Sequence, residues 1–134
     1  MAESENEKII GKIVKLANLR KLDEMLEYFT DDVTVQTVGV GKLDKKGLRE
    51  MFEGSFSKWS DDAYRVDRMI SEGDTVVADV RWTGVHTGED YAGILATGKR
   101  LENVGVWIMD FKDGKVKVWK IFYNPDIGLQ QLQE

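Results

Sequence analysis

Residues 75–86 read TVVADVRWTGVH, a stretch in which apolar and polar side chains alternate. Because successive side chains of a β-strand point to opposite faces of its sheet, one face of this stretch would be almost wholly apolar. That face carries Val76, Ala78, Val80, Trp82, Gly84 and His86. The other face carries the charged residues Asp79 and Arg81. The stretch therefore predicts a strand with one buried face, and it predicts that Trp82 and His86 point inward.

Further strands and helices are predicted around this stretch. β-Branched and aromatic residues indicate strands at 33–38, 64–70, 101–111 and 115–123, and Asp113-Gly114 is typical of a tight hairpin turn. Apolar residues at helical spacing predict helices at 3–19 and 21–29, and a third helix after a capping Asp44. Helices followed by antiparallel hairpins predict an α+β fold, in which a curved antiparallel sheet wraps around N-terminal helices.

The composition limits the possible functions. A chain of 134 residues suits one domain spanning 1–134. The lack of cysteine excludes thiolate ligands, and a single histidine excludes a multi-histidine metal site, so we expect no metal. A net charge of -5 argues against nucleic acid or an anionic membrane as a partner. The polar, acidic N-terminal residues and the absence of a long apolar stretch lead us to expect a cytoplasmic protein.

The second half of the chain carries a distinctive sequence pattern, W-x-G-x-H-x-G, followed by G and T-G-K. Here its residues are Trp82, Gly84, His86, Gly88, Gly93, Thr97, Gly98 and Lys99. Downstream lie D-G-K at 113–115 and G-L-x-Q-L at 128–132. The chain in this respect resembles the SnoaL-like polyketide cyclase family, within the nuclear transport factor 2-like superfamily. The resemblance is specific over residues 80–132, and over the helical half it rests on the order and length of the elements.

The resemblance implies a cone-shaped α+β barrel, open at one end to an apolar pocket. It also implies a homodimer formed sheet to sheet. The predicted strand at 101–111 is apolar on both faces, which fits a sheet whose outer surface is covered by a second copy. The cyclases of the family close polyketide rings by an aldol reaction without metal or organic cofactor. Their acid/base is an aspartate on the last strand.

That aspartate is missing from its counted position. The family pattern D-G-K-I-x-E-x-W-x-x-x-D places the acid ten residues after the glycine, which here is Asn124, although Trp119 then stands one position early. An amide cannot exchange a proton near neutral pH, whereas a carboxylate can. Asp126 follows two residues later and is the alternative acid.

Each candidate residue also has a structural interpretation. His86 is either an acid/base or ligand-binding group in the pocket, or a histidine at the rim that bonds to the backbone. Asn124 either donates to a ligand carbonyl or satisfies the turn after the strand. Asp126 is either the displaced acid or a helix cap. Four aromatic residues are candidates for stacking on a ligand, with simple core packing as the alternative: Trp82, Trp107, Tyr91 and Tyr28.

Two functions remain open at this point. The first is a domain that binds a small apolar molecule and lacks the catalytic aspartate. The second is a cofactor-free enzyme of the cyclase or isomerase type, acting on a small carbonyl compound. In both, His86 and Asn124 would line one apolar cavity with Trp82 in its wall. A fold of this kind does not by itself decide between them.

Overall fold

A computed structural model describes residues 4–133 as helices packed on a curved, open sheet. The helices are α1 (Glu5–Asn18), α2 (Leu22–Leu26), α3 (Lys45–Lys58) and α4 (Pro125–Gln133). The strands are β1 (Phe29–Thr37), β2 (Gly41–Leu43), β3 (Trp59–Glu72), β4 (Thr75–His86), β5 (Arg100–Lys112) and β6 (Lys115–Tyr123). The predicted α+β class is therefore confirmed.

The helices begin where the sequence provides caps. The Ser4 side chain accepts a hydrogen bond from the Glu7 N–H at 3.1 Å, and the predicted helix start at residue 3 lies outside the described residues. The Asp44 carboxylate accepts from the Gly47 N–H at 2.8 Å, as its predicted capping role requires. Helix α2 is shorter than predicted, because Phe29 already begins β1. The helix α4 ends the described chain and contains Asp126 in its first turn.

The sheet has the strand order β2-β1-β6-β5-β4-β3. Four of its pairings are antiparallel as predicted, but β1 runs parallel to β6. A parallel pair needs a long crossover, and here the whole chain between β1 and β6 provides it. Strands β2 and β3 lie at the two edges, so the sheet is a cone that does not close into a barrel. The core lies between the inner face of this sheet and the helices.

An irregularity in β6 changes which side chains face the core. Asp110 pairs with Val118, whereas Phe111 pairs with Val116, so Lys117 is an extra residue on β6. Both Val116 and Trp119 are buried as a result. Strict alternation along β6 would place Val116, Val118, Lys120, Phe122 and Asn124 on one face. That alternation is wrong beyond the irregularity, because a bulge moves every later side chain to the opposite face.

Candidate functional site

An aromatic cavity of about 220 Å³ lies between the inner face of the sheet and α3. Side chains from β1, α3, the strands β3 to β6 and α4 surround it. The lining includes all four tryptophans of the chain. The other aromatic side chains of the wall are those of Phe52, Tyr64, Tyr91 and Tyr123, whereas Phe122 borders the cavity from a strand position that alternates with Tyr123. Aromatic rings offer large apolar area with little conformational freedom to lose.

The four tryptophan rings pack against one another in two pairs. The rings of Trp107 and Trp119 meet edge to face with their centroids 5.0 Å apart, and Phe52 stacks on Trp119 at 6.2 Å. Trp59 and Trp82 form a second edge-to-face pair, also at 5.0 Å. Edge-to-face and offset contacts are the favoured arrangements of aromatic pairs, so these walls are preformed rather than assembled around a ligand.

The polar character of the cavity comes chiefly from three phenol groups. Tyr64 comes from β3, Tyr91 from the connection between β4 and β5, and Tyr123 from the end of β6. Burial raises the pKa of all three phenols. A charge on Tyr123 would raise the pKa of Tyr64 and of Tyr91 further. Near neutral pH each is therefore a neutral hydroxyl that can donate a hydrogen bond.

No charged side chain and no imidazole is found among the lining residues of the described chain. Asp62 also raises the pKa of Tyr64 through its charge, but it is not part of the cavity wall. Its carboxylate pairs with the Arg20 guanidinium at 2.6 Å, and Arg20 in turn donates to the Trp59 carbonyl at 2.7 Å. The ion pair between Arg20 and Asp62 therefore links the turn after α1 to the start of β3.

His86 is buried in the protein and does not line the cavity. Its Nε2–H donates to the Glu89 carbonyl at 2.9 Å, and its backbone bonds with Lys99 and Gly98 on the far side of the same loop. Its Nδ1 is buried and has no partner within residues 4–133. The geometry makes His86 an anchor for the loop that carries Tyr91, which is the backbone-bonded alternative given above; its proposed role in proton transfer stays a prediction.

Asn124 and Asp126 also lie outside the cavity wall. The Asn124 side-chain oxygen accepts a hydrogen bond from the Asp126 N–H at 3.0 Å, and so caps the start of α4. Asp126 is exposed in the first turn of that helix, where a negative charge is favourable. The expectation that His86 and Asn124 line one cavity is therefore not met, because the extra residue in β6 turns Asn124 away.

Three of the four aromatic candidates line the cavity and one does not. Trp82, Trp107 and Tyr91 lie in the cavity wall, and their role in binding a ligand stays a prediction. Tyr28 packs against the main core and is not part of the wall. The sequence analysis missed Tyr64, Tyr123, Trp59 and Trp119. The early position of Trp119 was the available signal, since it indicated that one residue fewer separates Gly114 from the tryptophan than in the family pattern.

A sequence profile of SnoaL-like polyketide cyclases matches residues 7–132 of the chain. The protein belongs to this family. Comparison with curated proteins finds no match. Among the described residues no group of three or more histidine, cysteine or acidic side chains could hold a metal ion, and no helix is long and apolar enough to cross a membrane.

Solved structures share the SnoaL-like fold at low sequence identity. AclR from Streptomyces galilaeus, a proposed hydroxylase, has a TM-score of 0.88 at 20% identity, over 98% of this chain and 83% of its own. IdmH from Streptomyces antibioticus, a proposed polyketide cyclase, has a TM-score of 0.87 at 18% identity, over 98% and 100%. An NTF2-like protein from Burkholderia thailandensis has a TM-score of 0.80 at 16% identity, over 99% and 100%. These likenesses establish the fold alone.

Counting from Trp119 instead of Gly114 changes the position that corresponds to the acid in the SnoaL-like pattern. In that pattern the acid follows the tryptophan by four residues. Counted from Trp119 instead of Gly114, this position is Tyr123, which does line the cavity. A phenol with a raised pKa therefore stands where the pattern has a carboxyl group.

Proposed function

We propose that this SnoaL-like domain binds a small, flat and predominantly apolar molecule in its aromatic cavity. The observation that carries the proposal is the lining itself, which holds every tryptophan of the chain and no charged group among the described residues. Burial of apolar ligand surface provides the binding free energy in such a site, and edge-to-face or stacked contacts with the rings add to it. The volume of about 220 Å³ suits a ligand smaller than a typical drug.

Family membership suggests an alternative to the binding function, in which a carboxylate catalyses an aldol cyclisation. A general acid or base must come within hydrogen-bonding reach of the proton it moves, directly or through one water. Asp126 points to solvent from α4, and Asn124 caps that helix. Among the described residues, no carboxylate lines the cavity to act as this general acid or base. These positions favour the binding function over the enzymatic one.

A homodimer through the outer face of the sheet is part of the proposal. Apolar side chains on that face are exposed by between 36% and 59%. Among them are Ile70 on β3, Val77 on β4, Val104 and Val106 on β5, and Phe122 on β6. Val106 and Phe122 are register partners, so they form one continuous patch. An apolar surface of this kind on an otherwise charged sheet is typical of an interface with another protein.

The binding proposal is tested by nuclear magnetic resonance of the indole N–H groups. We expect acetylnaphthalene, a flat aromatic ketone, to shift all four indole signals in a saturable titration, because all four rings line the cavity. Ser55→Phe adds a ring to the cavity wall from α3 and should abolish these shifts. Glu53→Phe adds the same ring to the exposed face of α3 and should leave them unchanged. Shifts that persist in Ser55→Phe, or an absence of shifts in the native protein, would contradict the proposal.

A further inference from the structure

Helix α4 covers one side of the aromatic cavity. Gly128 in this helix lines the cavity, and a Cβ added there would lie 3.1 Å from Leu101 Cδ2, so the helix backbone lies close to β5. Two further residues of α4, Ile127 and Gln131, line a neighbouring groove beside β3, β4 and β5. Three residues border both spaces, namely Trp82, Asn103 and Val104. Helix α4 therefore lies where the cavity meets this groove.

The main hydrophobic core includes cavity residues from the sheet and from α3 but none from α4. Trp107 and Phe52 are examples of such core residues. The buried Leu132 of α4 instead packs with Trp59 and Leu101 in a small separate cluster. No described residue of α4 belongs to the main core. The helix can therefore move away from the cavity without breaking the packing of that core, which is the condition for a local opening of low free energy.

The end of α4 is fastened chiefly by the side-chain amide of Gln131. The Glu102 N–H donates to its Oε1 at 2.8 Å, and its Nε2 donates to the Glu102 carbonyl at 2.8 Å. Strand β6 ends opposite Gly105, so the amide takes the place of a neighbouring strand beside Glu102. Lys99 Nζ adds a hydrogen bond to the Leu132 carbonyl at 3.2 Å. The bonds of Gln131 are exposed, so water can replace them and their net stabilisation is modest.

We infer that α4 is a lid, which opens at its Gln131 end while its start acts as the hinge, and that ligands enter and leave the cavity beneath it. The start stays in place because the Asn124 carbonyl accepts a hydrogen bond from the Asn103 side chain at 3.0 Å. The inference rests on the proposed binding function for what passes beneath the lid, whereas the opening belongs to the free protein. Association and dissociation of a ligand then both require the open state.

Native-state hydrogen exchange tests the opening without any ligand. We expect the hydrogen-bonded amides of α4 to exchange by local opening, faster than those in the middle of β4 and β5. The Glu102 amide should exchange together with them, which distinguishes detachment of the helix from fraying of its end. Gln131→Ala should accelerate exchange in α4 about tenfold and leave the strands unchanged, because it removes the paired hydrogen bonds. Gln130→Ala is the matched control, since Gln130 is exposed on the same helix.

Stopped-flow fluorescence with acetylnaphthalene tests the passage of a ligand. We expect Gln131→Ala to raise the association and dissociation rates by the same factor, again about tenfold, with Kd unchanged. The reason is that the Gln131 bonds stabilise the closed lid equally in the free and the bound protein. Damage to the cavity would instead raise Kd.

A covalent bridge provides the opposite change, because the chain has no cysteine of its own. In the double variant Glu102→Cys, Gln131→Cys, a short bismaleimide should slow both rates tenfold or more, by the loss of most of the open state. N-ethylmaleimide on the same variant modifies both thiols without joining them and is the control.

Rates that the bridge leaves unchanged would show another route into the cavity and overturn the lid. Exchange of α4 only together with the strands, or no acceleration in Gln131→Ala, would overturn it as well. Failure of acetylnaphthalene to bind the native protein would overturn the binding function, while hydrogen exchange would still decide whether α4 opens.

Discussion

Asn124 is the residue whose interpretation changes most between the sequence and the structure. Counted from Gly114 it takes the place of a catalytic aspartate, whereas in the fold it is the cap of α4. Its side-chain oxygen accepts a hydrogen bond from the Asp126 N–H, which is the turn-satisfying alternative given for it above. Its backbone carbonyl accepts from the Asn103 amide at 3.0 Å, which ties the end of β6 to β5.

Substitutions at Asn124 should therefore act on stability. We expect Asn124→Ala to lower the free energy of unfolding by about 1 kcal/mol, because it removes a helix cap. Asn124→Asp should leave stability within about 0.5 kcal/mol of native, since aspartate caps helices as well as asparagine does. Urea denaturation measures both values. Aldol cyclase activity that appears in Asn124→Asp would show that this carboxylate reaches the cavity after all.

Tyr64 should make stability sensitive to alkaline pH. Its pKa is raised in the folded state, so the unfolded chain loses the Tyr64 proton first, near pH 10. Below that pH both states keep the proton and the stabilisation is complete; above it the unfolded state binds fewer protons, and stability falls as pH rises. Urea midpoints measured between pH 8 and 11 should fall less steeply for Tyr64→Phe than for the native protein. Identical slopes would mean that Tyr64 ionises freely in the folded state.

The candidate site could be predicted from the sequence only in part. The alternation in 75–86 correctly placed Trp82 inward, and the strand ends of β4 and β6 were predicted at the residues where they occur. The face of each residue in β6 was not predictable by alternation, because one extra residue, Lys117, reverses the pattern before the cavity is reached. Tyr64 was assigned to a strand but not to a site, since its partners come from β5 and α3, far away in the chain.

At the scale of elements, the loop between β4 and β5 is fastened to the end of α3. The Gly88 N–H donates to the Lys58 carbonyl at 3.0 Å, and the Glu89 N–H donates to the Ser57 carbonyl at 2.9 Å. A Cβ at position 88 would lie 1.9 Å from the Ser57 oxygen, so only glycine permits this approach. The sequence pattern around Gly88 did not reveal this close contact with α3, because the contact joins distant parts of the chain.

Gly88→Ala should consequently loosen this attachment. We expect a loss of about 1–3 kcal/mol in the free energy of unfolding, as for other substitutions that force neighbouring atoms apart. Gly11→Ala, in α1, is the control: nothing lies within 4 Å of its added Cβ, and the helix should gain about 0.5–1 kcal/mol. Thermal unfolding followed by circular dichroism measures both. Equal stability of Gly88→Ala and native protein would mean that the loop can move away from α3 without cost.

For the whole molecule, the proposed homodimer gives a direct test. We expect light scattering to report twice the chain mass at micromolar concentration, with an interface of about 1,200 Å² or more in total. Val106→Glu puts a charge in the middle of the exposed patch and should yield monomers. Leu95→Glu changes an equally apolar side chain, 79% exposed on the loop between β4 and β5, and should leave the dimer intact. A native protein that scatters as a monomer would remove the dimer from the proposal.

The parallel pairing of β1 with β6 has a consequence for biosynthesis. Phe29 of β1 pairs with Val116 of β6, so β1 lacks this partner strand until most of the chain has been synthesised. At about 5–20 residues per second, a ribosome needs roughly 4–17 seconds to extend the nascent chain from the first residue to the second. During that interval the edge of β1 that pairs with β6 has no neighbour, and contacts so distant in sequence also form slowly. The binding cavity is complete only once β6 and α4 have been synthesised, because Tyr123 and Gly128 both line it.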